Sequence, residues 1–287
     1  MTTRALVLGG GGPVGIAWET GLIAGLAQAG VDLAGADFIL GTSAGAFVGA
    51  RLALGADPKG MAEPILAEAA RPAPDGAARP VADLTRLMQM MGEAQTGVRN
   101  PTEVRAEIGA YALDAQTMDE EAFLQSFGRS FASLPGRAWP EKEFACAAVD
   151  AVDGGFRLWT RAAGVGVTRA VASSCSVPGI YPPVTIDGRR YIDGGMRSST
   201  NADMAAGYEV VVVVAVRVGA AQVATRLEEE VQTLQDGGAT VVVIGPDEAS
   251  QDTFGENLMD FARRPAAVRA GLAQGGADAE ALKEFWG

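Results

Sequence analysis

RALVLGGGGPVGIAWETGLIAGLAQAGVDLAGADFILGTSAGAFV (residues 4–48) contains two strand-to-helix turns in immediate succession. Residues 4–8 are a short apolar run that stops at glycines, as a buried strand entering a tight turn does. From Val14 to Ala29 the apolar Ile16, Leu22, Ile23 and Leu26 carry helical spacing, and Gly30 closes the helix. Residues 38–40 form a second short strand. Residues 44–54 form a small-residue helix stopped at Gly55, and a further helix is expected over residues 59–70. Strand–helix–strand–helix at this spacing predicts a parallel sheet with helices on both faces.

Further along, residues 71–80 (RPAPDGAARP) form a Pro/Gly-rich break. A helical stretch without strand signals follows to about residue 131. Asn100-Pro101-Thr102-Glu103 within it is a strong helix start, with Asn as the cap and Pro in the first turn. This stretch reads as a helical insertion over about residues 81–140 in a single domain spanning residues 1–287. Leu84, Leu87, Met88 and Met91 share one helical face there, which suits either core packing or a lipid-facing lid. Strand signals resume at residues 144–149 and 156–160, joined by the turn Asp153-Gly154-Gly155, and at 184–186 and 190–192, joined by Asp187-Gly188. Residues 210–216 and 241–244 are continuous β-branched runs of the kind buried in parallel sheets, with a charged helix over 225–235 between them. The tail from residue 266 to 286 reads as helix.

Composition removes several function classes. The 287 residues are 48% hydrophobic and 20% charged, ordinary for a folded chain. A net charge of −12 repels nucleic-acid backbones, so no nucleic-acid partner is expected. No apolar run is long enough to span a bilayer, and the first residues lack the features of a signal peptide, which predicts a cytoplasmic protein. Cys146 and Cys175 lie among small and apolar residues and read as buried free thiols, one disulfide being the alternative. There is no histidine. That excludes a Ser–His–Asp triad, a Cys–His pair and imidazole metal ligands within the chain. Neither a metal nor any other cofactor is implied.

Gly41-Thr42-Ser43-Ala44-Gly45 is a G-x-S-x-G sequence placed between a strand and a helix. A nucleophile elbow needs that placement, because the sharp turn leaves no room for side chains two residues either side of the serine. The competing reading is that Ser43 merely caps the helix. Gly10, Gly12 and Gly15 form G-x-G-x-x-G after the first strand. This suits a nucleotide-binding loop or an oxyanion hole. The nucleotide reading needs an acidic residue at the end of the second strand, where this chain has Gly-Thr-Ser instead. Asp-Gly-Gly occurs at Asp153, Asp193 and Asp236. The first is explained by a hairpin and the third by a helix stop, so Asp193 is preferred as a base by elimination.

The glycine loop LVLGGGGPVG, the elbow GTSAG, the segment ASSCSVPGIYPPV and the YIDGG that follows occur in the order seen in patatin-like phospholipases, and the chain resembles that family up to about Val216. The resemblance implies an α/β fold with a mostly parallel central sheet flanked by helices. It implies an acyl hydrolase with Ser43 as nucleophile and Asp193 as base, and an oxyanion hole at Gly10, Gly11 and Gly12. Gly15, Gly41, Gly45, Gly194 and Gly195 support these motifs. A Ser–Asp dyad also accounts for the missing histidine. The family loop usually has Arg or Lys before its last glycine; here that position is Val14, which removes a cation and weakens the case for phospholipid over neutral ester. The expected partner is a lipid or acyl ester, with transient contact at a membrane surface. The oligomeric state is not legible in the sequence. The alternatives are a nucleotide-binding module using residues 10–15 and a non-catalytic relative that binds lipid.

Overall fold

The computed structural model describes residues 2–69, 84–94, 99–132, 134, 139–216 and 221–286. The Pro/Gly-rich break expected over residues 71–80 and the start of the insertion at residue 81 lie outside them.

The first half of the chain runs β1 (Arg4–Leu8), α1 (Gly12–Gln28), β2 (Phe38–Thr42), α2 (Ala44–Ala53) and α3 (Glu63–Ala69). The helix expected over 59–70 is split. A 3₁₀ turn at Pro58–Gly60 comes first, and α3 begins afresh one residue before Pro64, since proline suits a first turn and disrupts a helix interior. Three helices follow, α4 (Thr85–Ala94), α5 (Pro101–Asp114) and α6 (Glu120–Phe131). Asn100 caps α5 as expected, its side chain accepting from the Thr102 N–H at 2.9 Å. Beyond them lie β3 (Glu143–Asp150), β4 (Phe156–Trp159), α7 (Val167–Ser174), β5 (Val184–Ile186), β6 (Arg189–Asp193), β7 (Val210–Val214), α8 (Ala221–Asp236), β8 (Thr240–Ile244), α9 (Glu248–Phe254) and α10 (Arg264–Trp286).

Among the described residues eight strands form one sheet in the order β5-β6-β3-β2-β1-β7-β8, with β4 attached to β3. The strands β3, β2, β1, β7 and β8 are mutually parallel, while β4 and the hairpin β5–β6 run antiparallel beside β3. Side chains alternate across the central strands. Leu6, Leu8, Val212 and Val214 face a core built with α1, α2, α7 and α10. Ala5, Val7, Val211 and Val213 face a second core closed by Leu227 and Leu234 of α8. Both faces are therefore covered, which is what makes β7 a run of five buried valines. The similar run in β8 behaves differently. It is the last strand on its side, so Val243 is exposed and the strand is only partly buried. A third core lies under α4 and α5, where Leu87, Val104, Ile108 and Ala112 pack on Val149 and Ile192.

The two cysteines are free and buried. The C-terminal helix α10 lies along α1, and its Trp286 indole donates to the Asp32 carbonyl at 2.8 Å. No helix among the described residues is long and apolar enough to cross a membrane.

Candidate active site

The parallel pairing of β1 with β2 sets Leu8 opposite Gly41, so the two strand-to-helix turns lie side by side at one end of the sheet. A Cβ at Gly45 would lie 2.1 Å from the Leu8 carbonyl oxygen, and one at Gly41 2.4 Å from the Ala46 backbone. Both positions are glycine because the turn presses α2 onto the strands. Ser43 sits at the apex with φ 53° and ψ −115°. For a residue with a side chain this conformation costs about 1–3 kcal/mol. Ser43 makes no side-chain hydrogen bond to the helix, so it does not cap α2. It is 7% exposed.

Asp193 is the last residue of β6. Register brings it to the serine: Thr42 pairs with Ala147 of β3, and Asp193 pairs with the next residue, Ala148. The Asp193 carboxylate is 2% exposed, and one oxygen, Oδ1, accepts the Gly195 N–H at 2.7 Å. Burial pushes its pKa up to about 7, opposed by the Ser43 hydroxyl and the Gly195 N–H, which stabilise the charge. The other oxygen, Oδ2, has no partner at normal hydrogen-bonding geometry. The serine is therefore near enough to influence the carboxylate without a tight bond to it, as is common before substrate binds. Asp153 and Asp236 are engaged elsewhere. Asp153 accepts the Gly155 N–H in its hairpin at 2.9 Å and pairs with Arg189, while Asp236 accepts from Gln232 at the end of α8 at 2.7 Å.

A Cβ at Gly10 would lie 3.4 Å from the Ser43 Cβ, so the glycine loop flanks the serine. Its donors differ from expectation in one respect. The Gly10 N–H donates to the Ser199 carbonyl at 2.7 Å and so is engaged within the protein. Among the described residues, the N–H groups of Gly11, Gly12 and Ala44 have no acceptor. Gly12 has φ 56°, and a Cβ at Gly15 would lie 3.3 Å from the Val216 side chain. The next donor along the loop, Val14 N–H, donates to the Leu258 carbonyl at 3.2 Å and so is engaged within the protein instead of being open to a phosphate. Gly194 and Gly195 are held by close contacts of their own. A Cβ at Gly194 would strike the Ala147 carbonyl at 2.4 Å, and one at Gly195 the Asp193 carboxylate at 2.9 Å, so neither glycine simply clears space for the serine.

Several polar residues here had no assigned place in the sequence. Asn201, fully buried with φ 51°, donates through Nδ2 to Thr42 Oγ1 at 3.0 Å and to the Ser198 carbonyl at 2.8 Å. Its Oδ1 accepts from Arg197, which is paired with Asp203. The polar run Ser198-Ser199-Thr200-Asn201 after Asp-Gly-Gly was the visible signal for this. Glu19 of α1 is fully buried with no partner at normal hydrogen-bonding geometry on either carboxyl oxygen, and burial holds its pKa well above the usual range, opposed by the Gly9 backbone. Among the described residues no cluster of three or more carboxylate, thiol or imidazole groups is arranged to hold a metal ion.

A family model described as patatin-like phospholipase matches residues 6–206. No curated protein matches the chain. Among solved structures, VipD from Legionella pneumophila is similar at 15% identity and a TM-score of 0.47, over 98% of this chain and 67% of that one. The type III effector ExoU is similar at 17% identity and a TM-score of 0.38, over 97% of this chain and 53% of that one. Full-length ExoU from Pseudomonas aeruginosa in complex with SpcU gives 17% identity, a TM-score of 0.31 and coverage of 96% and 52%. The chain thus spans about two thirds of the first of these chains and about half of the other two.

Proposed function

The chain belongs to the patatin-like phospholipase family, a class of carboxylic ester hydrolases acting on lipid and acyl esters through a Ser–Asp dyad, and from that premise we propose that Ser43 is its nucleophile and Asp193 its base. The observation that carries this reading is the pairing itself: a serine in a strained elbow beside a buried carboxylate whose pKa is about 7 and whose second oxygen is unengaged. A carboxylate of ordinary pKa, about 4, is a poor base for a hydroxyl. Desolvation removes much of that mismatch.

In the reaction Ser43 Oγ attacks the acyl carbon while its proton passes to Asp193. The negative charge that develops on the carbonyl oxygen is met by N–H donors, for which Gly11, Gly12 and Ala44 are available. The N-terminal end of α2 adds its dipole in the same sense. Collapse expels the alkoxide, which takes the proton from Asp193 and leaves acyl-Ser43. Water then attacks the acyl carbon, giving its proton to Asp193, and the proton returns to Ser43 Oγ as the free acid leaves.

Val14, where the family usually carries a cation, is fully buried, which favours neutral esters over phospholipid. Transient contact with a lipid surface is assigned to the insertion. Leu87 packs inward, with Leu84 and Met91 partly buried beside it, whereas Met88 is 48% exposed, and Leu113 and Met118 are 42% and 45% exposed.

A fluorophosphonate should label wild-type protein at Ser43 and leave Ser43→Ala unlabelled. Equal labelling of both would end the nucleophile assignment. A panel of neutral esters and phospholipids of graded chain length, run on both proteins, resolves the substrate. Met88→Gln should slow long-chain esters and spare short soluble ones.

A further inference from the structure

The segment ASSCSVPGIYPPV has no part in the chemistry above, yet its first turn touches both members of the dyad. At the C-terminal end of α7, the Ser174 hydroxyl accepts the Ser43 N–H at 3.0 Å. The next residue, Cys175, donates its thiol to the Ser43 carbonyl oxygen at 3.0 Å. The one after that, Ser176, accepts the Asp193 N–H on its carbonyl oxygen at 3.0 Å. Its own hydroxyl donates to the Pro182 carbonyl at 2.6 Å. Ser174 and Ser176 are fully buried. Helix α7 is fixed in turn by Ser173, which accepts the Trp159 indole N–H at 3.0 Å.

We propose that the tripeptide Ser174-Cys175-Ser176 is the positioning element of the dyad, clamping the backbone of Ser43 on both sides and holding Asp193 in the same frame. This rests on the reading of Ser43 and Asp193 as nucleophile and base. A residue with a side chain stays at φ 53° only where its surroundings hold it there. The N–H and C=O of Ser43 flank its Cα, so fixing both fixes the direction in which Oγ leaves the backbone. Because the two side chains belong to adjacent residues and the third contact is main chain, a shift of α7 moves serine and aspartate together. A thiol suits the middle position. The S–H remains a neutral donor because burial, and then the Asp193 charge, oppose its ionisation. Neither side chain is proposed to touch the substrate.

The test uses Ser174→Ala, Cys175→Ala and Cys175→Ser, with kcat and KM on a short soluble ester and the rate of fluorophosphonate labelling per folded molecule. Loss of aim in a near-attack geometry costs about ten- to a hundredfold. Ser174→Ala and Cys175→Ala should therefore lower kcat and the labelling rate by about that factor, with KM within about threefold. Cys175→Ser keeps a donor and should recover most of the loss. Retention of wild-type kcat by both alanine variants overturns the clamp, as does Cys175→Ser being no better than Cys175→Ala. Should Ser174→Ala not fold, the two Cys175 variants decide alone. Wild-type protein that fails to label at Ser43 overturns the nucleophile assignment and the clamp with it, whereas a labelled wild type with unimpaired variants overturns the clamp only.

Discussion

At the scale of single residues, pH separates the roles most cleanly, because a chain without histidine has few groups that titrate between pH 5 and 8. As the proposed base, Asp193 must be ionised to accept a proton. With its pKa pushed up to about 7, kcat/KM on a soluble ester should rise about tenfold per pH unit below that value and level off above it. Asp193→Asn should lose about two to four orders of magnitude and the pH dependence with it. Asp153→Asn, altering a residue bound up with Arg189 and its own hairpin, should stay within a few-fold. If Asp153→Asn is the inactive variant, the base is misassigned. Stability should run the opposite way to activity. Asp193 and Glu19 keep protons in the folded chain at pH values where the unfolded chain has released them. Their contribution is thus fully present below about pH 4 and is lost as pH rises through the folded pKa. Burial pushes Asp150 and Asp203 up, but this is more than offset by their hydrogen bonds and charge pairing, chiefly with Arg189 and Arg197, so they shift downward and act below this window. Each pH unit over which buried Glu19 stays protonated costs about 1.4 kcal/mol. Glu19→Gln should therefore raise Tm more at pH 8 than at pH 5; an equal effect at both would mean that the carboxyl is ionised in the folded chain. Of these residues, Ser43 was legible because an elbow imposes a spacing. Glu19 was not, since a single carboxylate in a helix looks like any solvent-facing one until the packing around it is known.

At the scale of elements, the glycines show which packings the site depends on. Gly21 and Gly25 of α1 meet Gly271 and Gly275 of α10, and a Cβ at any of the four would stand 2.2–2.3 Å from a carbonyl oxygen of the opposite helix. The two helices touch backbone to backbone, and α1 is the helix that begins at the glycine loop. Gly275→Ala, whose methyl would lie 2.2 Å from the Leu22 carbonyl, should destabilise by at least about 1–3 kcal/mol, seen as a lower Tm. Gly276→Ala, one residue on and facing open space, should stabilise by about 0.5–1 kcal/mol through helix propensity. If the two variants melt alike, the close approach is not there. This seam was not visible in the sequence, because small residues four apart say nothing about which helix they face. The strands were more readable. The hairpin turns at Asp153-Gly154 and Asp187-Gly188 and the valine run of β7 announce themselves by local chemistry. The partial exposure of β8 does not, since its burial depends on what lies beyond it in the sheet. Helix α7 was missed as well. It is short, starts at Gly166 without a side-chain cap, and shows its purpose only through Ser174 and Cys175, whose partners at Ser43 are more than a hundred residues away.

At the scale of the whole molecule, the family match ends at residue 206, yet the strand and helix that complete the site's support lie beyond it. β7 pairs with β1 along its length and accepts the Gly9 N–H on the Val214 carbonyl at 2.9 Å, while α10 braces α1. The charge of the molecule bears on the lipid surfaces it can work at. At −12, the chain is repelled by an anionic membrane, and the repulsion acts over about 10 Å at an ionic strength of 0.1 M. The apolar contact proposed for Met88, Leu113 and Met118 would be insensitive to salt by comparison. Hydrolysis of a neutral ester carried in zwitterionic phosphatidylcholine vesicles should therefore be faster than in vesicles containing about 30% phosphatidylserine at low salt. The difference should shrink as salt is raised to about 0.5 M, where the screening length falls to a few ångströms. Met88→Gln should slow both kinds of vesicle alike and leave the salt response unchanged. Faster turnover on the anionic vesicles at low salt would instead place a basic patch at the contact surface, and the assignment of Met88, Leu113 and Met118 to that surface would fall.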